Sequence, residues 1–320
     1  MDKKDLRIVF LGTPEFAVES LNKIWDNGFN IVGVVTMPDK QAGRGHGFIQ
    51  SPVKQWAVAH DIKLMQPSNL KSPEFVEDLR SLNADLFVVI AFRMLPEVVW
   101  TMPRLGTFNL HASLLPKYRG AAPINWAVMN GDTVTGVTTF FLKHEIDTGD
   151  IIDRKEVAIL PEENVGDVHD KLMALGAELT VETLNNILNG TLHTIPQDEL
   201  IAKQEPTPAP KIFKETRRID WNRPAKDIHN QVRGLSPYPG AWTEWNTAEG
   251  STLTFKIYKT ALTGDKTNAA PGTIKVDGKR PMVACADEML EILNLQAEGK
   301  RKMNSDEFLR GLHVTLTSSN

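Results

Sequence analysis

The pattern of apolar and polar positions changes character once along the chain, after Gly190. Before it, short apolar runs alternate with amphipathic stretches. Residues 6–11 are almost continuously apolar and rich in β-formers, as in a strand buried on both faces. Gly12-Thr13-Pro14 turns the chain, and Pro14 suits the first position of a helix that stops at Asn27-Gly28. Residues 30–36 form a second strand, so strand, helix and strand make a parallel βαβ unit. The same reading predicts helices over 52–60, 72–82, 124–129 and 164–188, and a short one ending at Trp100. It predicts strands over 63–65, 86–91, 107–110, 135–142 and 151–157. The last two flank a loop and look paired. Residues 37–51 read as one long loop with glycines at 43, 45 and 47 and a basic trio, Lys40, Arg44 and His46.

Beyond Gly190 the runs shorten. Glu205-Pro206-Thr207-Pro208-Ala209-Pro210 is a stiff linker. After it come a helix over 225–232 and strand-like runs at 241–245, 252–260, 272–276, 282–286 and 290–296. Short strands at close spacing predict a small β-barrel. The expected organisation is an α/β domain over 1–190, a linker over 191–210 and a second domain over 211–320.

Length and composition fit this division. A chain of 320 residues buries a large core and has room for two domains. One cysteine, Cys285, excludes an internal disulfide and every multi-cysteine metal site, which fits a reducing compartment. Residues 1–5 run into the first strand with no apolar signal core, and no apolar run reaches the length of a membrane span. A cytoplasmic protein is expected. Charge is uneven: residues 201–320 hold 18 Lys plus Arg against 14 Asp plus Glu, and residues 1–200 hold 18 against 26. That asymmetry hints at a polyanion partner for the second half, although random scatter produces it as readily.

The candidate chemistry lies between Phe108 and Asp150. Asn109 and His111 stand two apart where a strand ends, so they project from one side while Leu110 enters the core. A loop rich in glycine and proline follows, and Asp147 returns before Thr148-Gly149 within reach of His111. Ser113 raises a Ser-His-Asp hydrolase, but it lies two residues after the His with no G-x-S-x-G elbow. A metal held by His111 and Asp147 lacks a third ligand. Gly12 alone is not a dinucleotide fingerprint. A structural histidine with a capping aspartate remains open. An amide and an imidazolium aimed at one point form an oxyanion site, and a carboxylate behind the ring supports its donor form. Such a trio suits acyl transfer to an acceptor that brings its own nucleophile.

Asn109-Leu-His111-Ala-Ser113-Leu-Leu-Pro116, Arg119-Gly-Ala-Ala-Pro123 and Asp147-Thr-Gly-Asp150 resemble the formyltransferases that use 10-formyltetrahydrofolate. Gly12-Thr-Pro14, Pro38-Asp39, Ala42-Gly-Arg44-Gly45 and Ser51-Pro-Val-Lys54 are similar to the branch acting on methionyl-tRNA. So are Ile219-Asp-Trp221, Pro237-Tyr-Pro-Gly-Ala-Trp242, Ala270-Pro-Gly-Thr273 and Leu295-Gln296 with Gly299-Lys300 in the second domain. The likeness covers nearly the whole chain. It implies a Rossmann-like, mostly parallel sheet domain followed by a small OB-like β-barrel. It implies Asn109, His111 and Asp147 as the catalytic trio and Ser113, Leu114, Leu115 and Pro116 as the wall of the folate site. It also implies Arg44 as a contact to initiator methionyl-tRNA, 10-formyltetrahydrofolate as co-substrate, no metal, and a monomer. Lys203, Lys211, Lys214, Arg217, Arg218, Lys300, Arg301 and Lys302 are candidates for a basic face toward RNA. Where the family has Tyr-Gly, this chain has Phe92-Arg93, a departure at the expected folate pocket. A formyltransferase acting on a small amine, such as a nucleotide precursor or amino-sugar, is the alternative.

Overall fold

A computed structural model describes residues 2–41, 47–201, 205–311 and 316–319. The chain forms two compact units, Met1–Gly120 with Thr135–Val157 and His169–Pro208, and Ala121–Val134 with Ala158–Val168 and Ala209–Asn320.

In the first part of the chain the elements run β1 (Arg7–Gly12), α1 (Glu15–Asp26), β2 (Asn30–Val35), β3 (Lys40–Gln41), β4 (Phe48–Ile49), α2 (Pro52–Ala59), β5 (Leu64–Met65) and α3 (Pro73–Ser81). They continue with β6 (Leu86–Ile90), α4 (Glu97–Trp100), β7 (Thr107–His111), β8 (Lys117–Gly120), α5 (Pro123–Met129), β9 (Val134–Phe141), β10 (Ile151–Ala158), α6 (Val165–Asn189), α7 (Gln197–Ile201) and β11 (Thr207–Ala209). Seven strands form one sheet in the order β10-β9-β7-β6-β1-β2-β5. β1 is parallel to β2 and β6, β2 to β5, and β6 to β7, whereas β9 runs antiparallel to β7. The expected mostly parallel sheet is present. Strand order reverses at β1 and β6, and α/β sheets bind ligands beyond the carboxyl ends of their strands at such a reversal.

The apolar run at the start of β1 is buried because helices cover both faces of a parallel sheet. Gly12 serves close packing here. A Cβ at that position would lie 2.8 Å from the Cβ of Ala17 on α1 and 2.9 Å from the carbonyl of Ile90. Two short features depart from the sequence reading. Within the stretch expected to be a single loop, β3 and β4 pair antiparallel, Lys40 with Ile49 and Gln41 with Phe48. Two-residue strands leave no period to detect. In the stretch read as linker, Ile195 and Ile151 exchange backbone hydrogen bonds of 2.9 Å, and α7 follows at once.

The second unit contains α5, α8 (Ala225–Gly234) and an antiparallel sheet. Its strands are β12 (Ala241–Thr247), β13 (Thr252–Lys266), β14 (Ile274–Asp277), β15 (Arg280–Ala284), β16 (Glu288–Ala297), β17 (Met303–Asn304) and β18 (Leu316–Ser319), with α9 (Ser305–Arg310) before the last. The order is β14-β15-β16-β13-β12-β18, and β17 pairs with β16. A bridge between Thr273 and Ser318 joins the two ends, so the sheet curls toward a barrel. β12 alternates buried and half-buried positions, placing Trp245 against Phe255, with ring centroids 4.6 Å apart, in a core shared with Ile257, Leu295 and Ile228 and Val232 of α8. β13 outruns its expected length, and its register against β16 shifts three times, as bulges allow in a strand that must bend.

α8 also buries a histidine. His229 shares a 2.9 Å hydrogen bond with the Thr260 hydroxyl. Burial pushes its imidazole pKa down, Glu162 opposes that, and Arg233 adds to it. The unfolded chain therefore takes up a proton near the ordinary value of about 6.5 before the folded one does. Stability is whole above that pH and falls as pH drops through it. Thermal melts between pH 7.5 and 5.5 are expected to show a smaller fall in Tm for His229→Gln than for the unaltered chain.

Candidate functional site

Asn109 and His111 close β7, opposite Phe140 and Thr138 of β9. The pleat sends Leu110 the other way, into the core, where a Cβ on Gly176 of α6 would stand 2.7 Å from it. Asn109 is half-buried, and its amide makes no hydrogen bond to another described residue. His111 is buried. Its Nε2 lies 2.8 Å from the Tyr118 carbonyl and donates to it, and Phe140 meets the ring edge-on with centroids 6.4 Å apart. Its Nδ1 lies 3.9 Å from Asp147 Oδ2. That distance allows Coulomb attraction but is too long for a hydrogen bond.

Asp147 is held from several sides. Its Oδ2 accepts from the Gly120 amide at 2.9 Å. Its backbone is left-handed, with φ 54°, an uncommon state for a residue with a Cβ. Gly149 fits only because it lacks a side chain: a Cβ would lie 1.6 Å from the Phe141 carbonyl. The buried side chain of Gln197 donates to the carbonyls of Asp147 at 2.8 Å and Gly149 at 2.9 Å. Arg119 donates to the Gln197 oxygen at 2.6 Å. Sequence reasoning missed Gln197, which lay in presumed linker. Pro196 ahead of Gln-Asp-Glu was the available signal, since proline followed by acidic residues starts a helix.

The residues expected to line the folate site make a tight loop after β7. Ser113 and Leu115 are fully buried, Pro116 is buried and Leu114 is half-buried. The Ser113 hydroxyl donates to the Lys117 carbonyl at 2.7 Å. Thr138 ties the loop to β9, donating to the Ser113 carbonyl at 2.6 Å and accepting from the Leu115 amide at 3.1 Å. Ser113 and Leu115 are thus tied into the loop, and Leu114 keeps partial access.

β6, the parallel neighbour of β7, leaves the sheet through Phe92-Arg93. The left-handed residue of this turn is Ala91, with φ 48°, so position 93 has no need of glycine. The Arg93 guanidinium donates to the carbonyls of Pro67 and Ser68. Burial lowers its pKa, and its Nε is buried without a partner among the described residues. The guanidinium thus pins the β6 exit to the turn after β5. A cavity of about 450 Å³ lies between these segments, lined by Leu70, Met94, Leu95 and Pro96 with Lys71 and Arg93.

Two motifs that are far apart in sequence meet at the base of the basic loop. Lys54 Nζ lies 2.6 Å from Asp39 Oδ2, and Gln66 donates to the other oxygen at 2.8 Å. Those hydrogen bonds, Lys54 first, hold the Asp39 carboxyl below its ordinary pKa. Arg44 itself lies outside the described residues, as does Lys203. In the second unit, Lys214 and Arg218 stand 5.2 and 5.5 Å from the Trp242 ring, and Lys302 stands 4.4 Å from the Tyr258 ring. Lys211 lies over Phe213, and Arg301 pairs with Glu307.

Comparison with known proteins yields two family matches, "Formyl transferase" over residues 6–184 and "Formyl transferase, C-terminal domain" over residues 211–313. The chain is 57% identical over 316 residues to methionyl-tRNA formyltransferase of Bacteroides fragilis, covering 98% of each protein. It is 47% identical to the protein of that name from Flavobacterium johnsoniae, covering 96% of each. Among solved structures, an N-formyltransferase from Helicobacter canadensis with folinic acid and dTDP-3-aminofucose superposes with a TM-score of 0.67. It is 22% identical and covers 95% of this chain and 100% of that one, a likeness of fold.

Proposed function

This chain belongs to the formyl transferase family, and we propose on that premise that it moves the formyl group of 10-formyltetrahydrofolate onto the α-amino group of initiator methionyl-tRNA. Near-complete coverage at 57% identity by a protein of that name supports the substrate. The observation that carries the mechanism is the Asn109 amide, without a hydrogen-bond partner among the described residues, two positions from a His111 ring whose Nδ1 faces Asp147 across 3.9 Å.

For the donor's ring and tail we take the cavity beyond β6, where Leu70, Met94, Leu95 and Pro96 offer apolar walls and Lys71 a cation; Ser113, Leu114, Leu115 and Pro116 are not among its lining residues. The folate supplies an activated formyl carbon. An α-amino group has a pKa of about 7.7–8.0, so a useful fraction is neutral near pH 7 and attacks without a strong base. Asn109 donates to the formyl oxygen as negative charge gathers there. His111 donates alongside it and carries a proton for the departing amine, while Asp147 stabilises the charged ring. The Gly120 amide and the Gln197 side chain keep the carboxylate in place. Holding two substrates in line supplies much of the remaining rate.

RNA binding is assigned to Arg44 and to the aromatic and cationic face of the second unit. Cations interleaved with Trp242 and Tyr258 suit a sugar-phosphate chain with unstacked bases. Lys214→Ala with Arg218→Ala is expected to weaken tRNA binding and to flatten its salt dependence by about two contacts, without changing the folate KM. Filter binding across a salt series measures this. We retain a first domain beginning at residue 1, a second over 211–320 and a cytoplasmic monomer, with residues 195–201 of the stretch read as linker held to the first domain through Ile151 and Asp147.

The deciding experiment offers purified protein and labelled formyl donor three acceptors: charged initiator tRNA, a nucleotide-linked amino-sugar, and water. Label in formylmethionine alone supports the proposal. Label in the small amine supports the alternative.

A further inference from the structure

We infer that Gln197 is a positioning residue for the Asp147 carboxylate and that Arg119 fixes the direction of its amide. The inference rests on the reading of Asp147 as catalytic. Gln197 is 2% exposed, and both ends of its amide are in use. Its nitrogen donates to Asp147 O at 2.8 Å and Gly149 O at 2.9 Å, spanning Thr148. Its oxygen accepts from Arg119 Nη2 at 2.6 Å and Nε at 3.2 Å. A flipped amide would set its oxygen against two carbonyls and its nitrogen against a guanidinium. Only one orientation is therefore tolerated.

The neighbours of Arg119 complete the device. The Tyr118 carbonyl accepts from His111 Nε2, and the Gly120 amide donates to Asp147 Oδ2. Three consecutive residues thus touch the ring, the brace and the carboxylate. The brace works on a backbone that would otherwise relax, since Asp147 is left-handed. Gln197 is delivered by the Ile195–Ile151 pair just ahead of it and by Leu200, which packs beside Leu115, Phe140 and Ile151. The segment after α6 is thereby part of the site.

The test compares Gln197→Met, which removes both donors at similar length, with Asp147→Asn and with the double variant. Gln197→Met is expected to lower kcat about tenfold or more, with the KM of each substrate within about twofold, because small misplacements tax the chemical step. In the Asp147→Asn background the same change is expected to add nothing, since Gln197 acts through that carboxylate. Arg119→Gln, which frees the Gln197 oxygen without touching the Asp147 loop, is expected to show the same kcat-only loss even where Gln197→Met folds poorly. Unchanged kcat in folded Gln197→Met or in Arg119→Gln, or an additive loss in the double variant, overturns the inference while a crippled Asp147→Asn leaves the catalytic reading intact. Normal turnover of Asp147→Asn overturns that reading and the inference with it.

Discussion

Asn109→Ala is expected to lower kcat by roughly 100- to 1000-fold, the usual effect of deleting one oxyanion donor. The expectation follows from how little else the side chain does. It sits half-buried at the end of β7, and its amide makes no hydrogen bond to another described residue. Its removal therefore leaves no buried partner unsatisfied, and Tm should barely move. Because the interaction strengthens as charge develops on oxygen, the loss belongs in kcat, with the KM of both substrates nearly unchanged. Steady-state kinetics alongside a thermal melt separates this from a folding defect. A loss confined to the folate KM would instead make Asn109 a ground-state contact.

The second large effect is expected from a single methyl group. Gly149→Ala places a Cβ 1.6 Å from the Phe141 carbonyl and 3.2 Å from the Phe140 ring. Neither neighbour can yield, because Phe140 is buried and Phe141 belongs to β9. The loop must move by more than an ångström, carrying Asp147 from His111 and loosening both Gln197 bonds. Misplacement on that scale costs about 100-fold in turnover. The predicted signature is a kcat loss of that order with a lowered Tm. Full activity in the variant would mean that the Asp147 loop does not need this path.

Much of this arrangement was legible in the chain. Buried strands announce themselves by unbroken apolar runs, so β1, β6 and β7 fell where expected within a residue or so. Asn109 and His111 were readable because period-two geometry puts both on one side of a strand end. Other features had no local signature. β3 and β4 are two residues each, and α7 is five residues within the stretch read as linker. Gln197 reaches Asp147 across 50 positions, through contacts that only the fold creates. Arg93 shows the reverse case. The departure was visible in sequence, but its role as a pin between β6 and the Pro67-Ser68 turn needed coordinates.

The most direct measurement is single-turnover formyl transfer with the protein in excess over labelled donor and charged tRNA, comparing His111→Ala with the unaltered chain. Binding and product release then drop out, and the chemical step is read alone. The predicted result is a step slowed about 100-fold or more, with the folate Kd unchanged. A single-turnover rate equal to that of the unaltered chain would contradict a mechanism in which the imidazole serves the reacting formyl group.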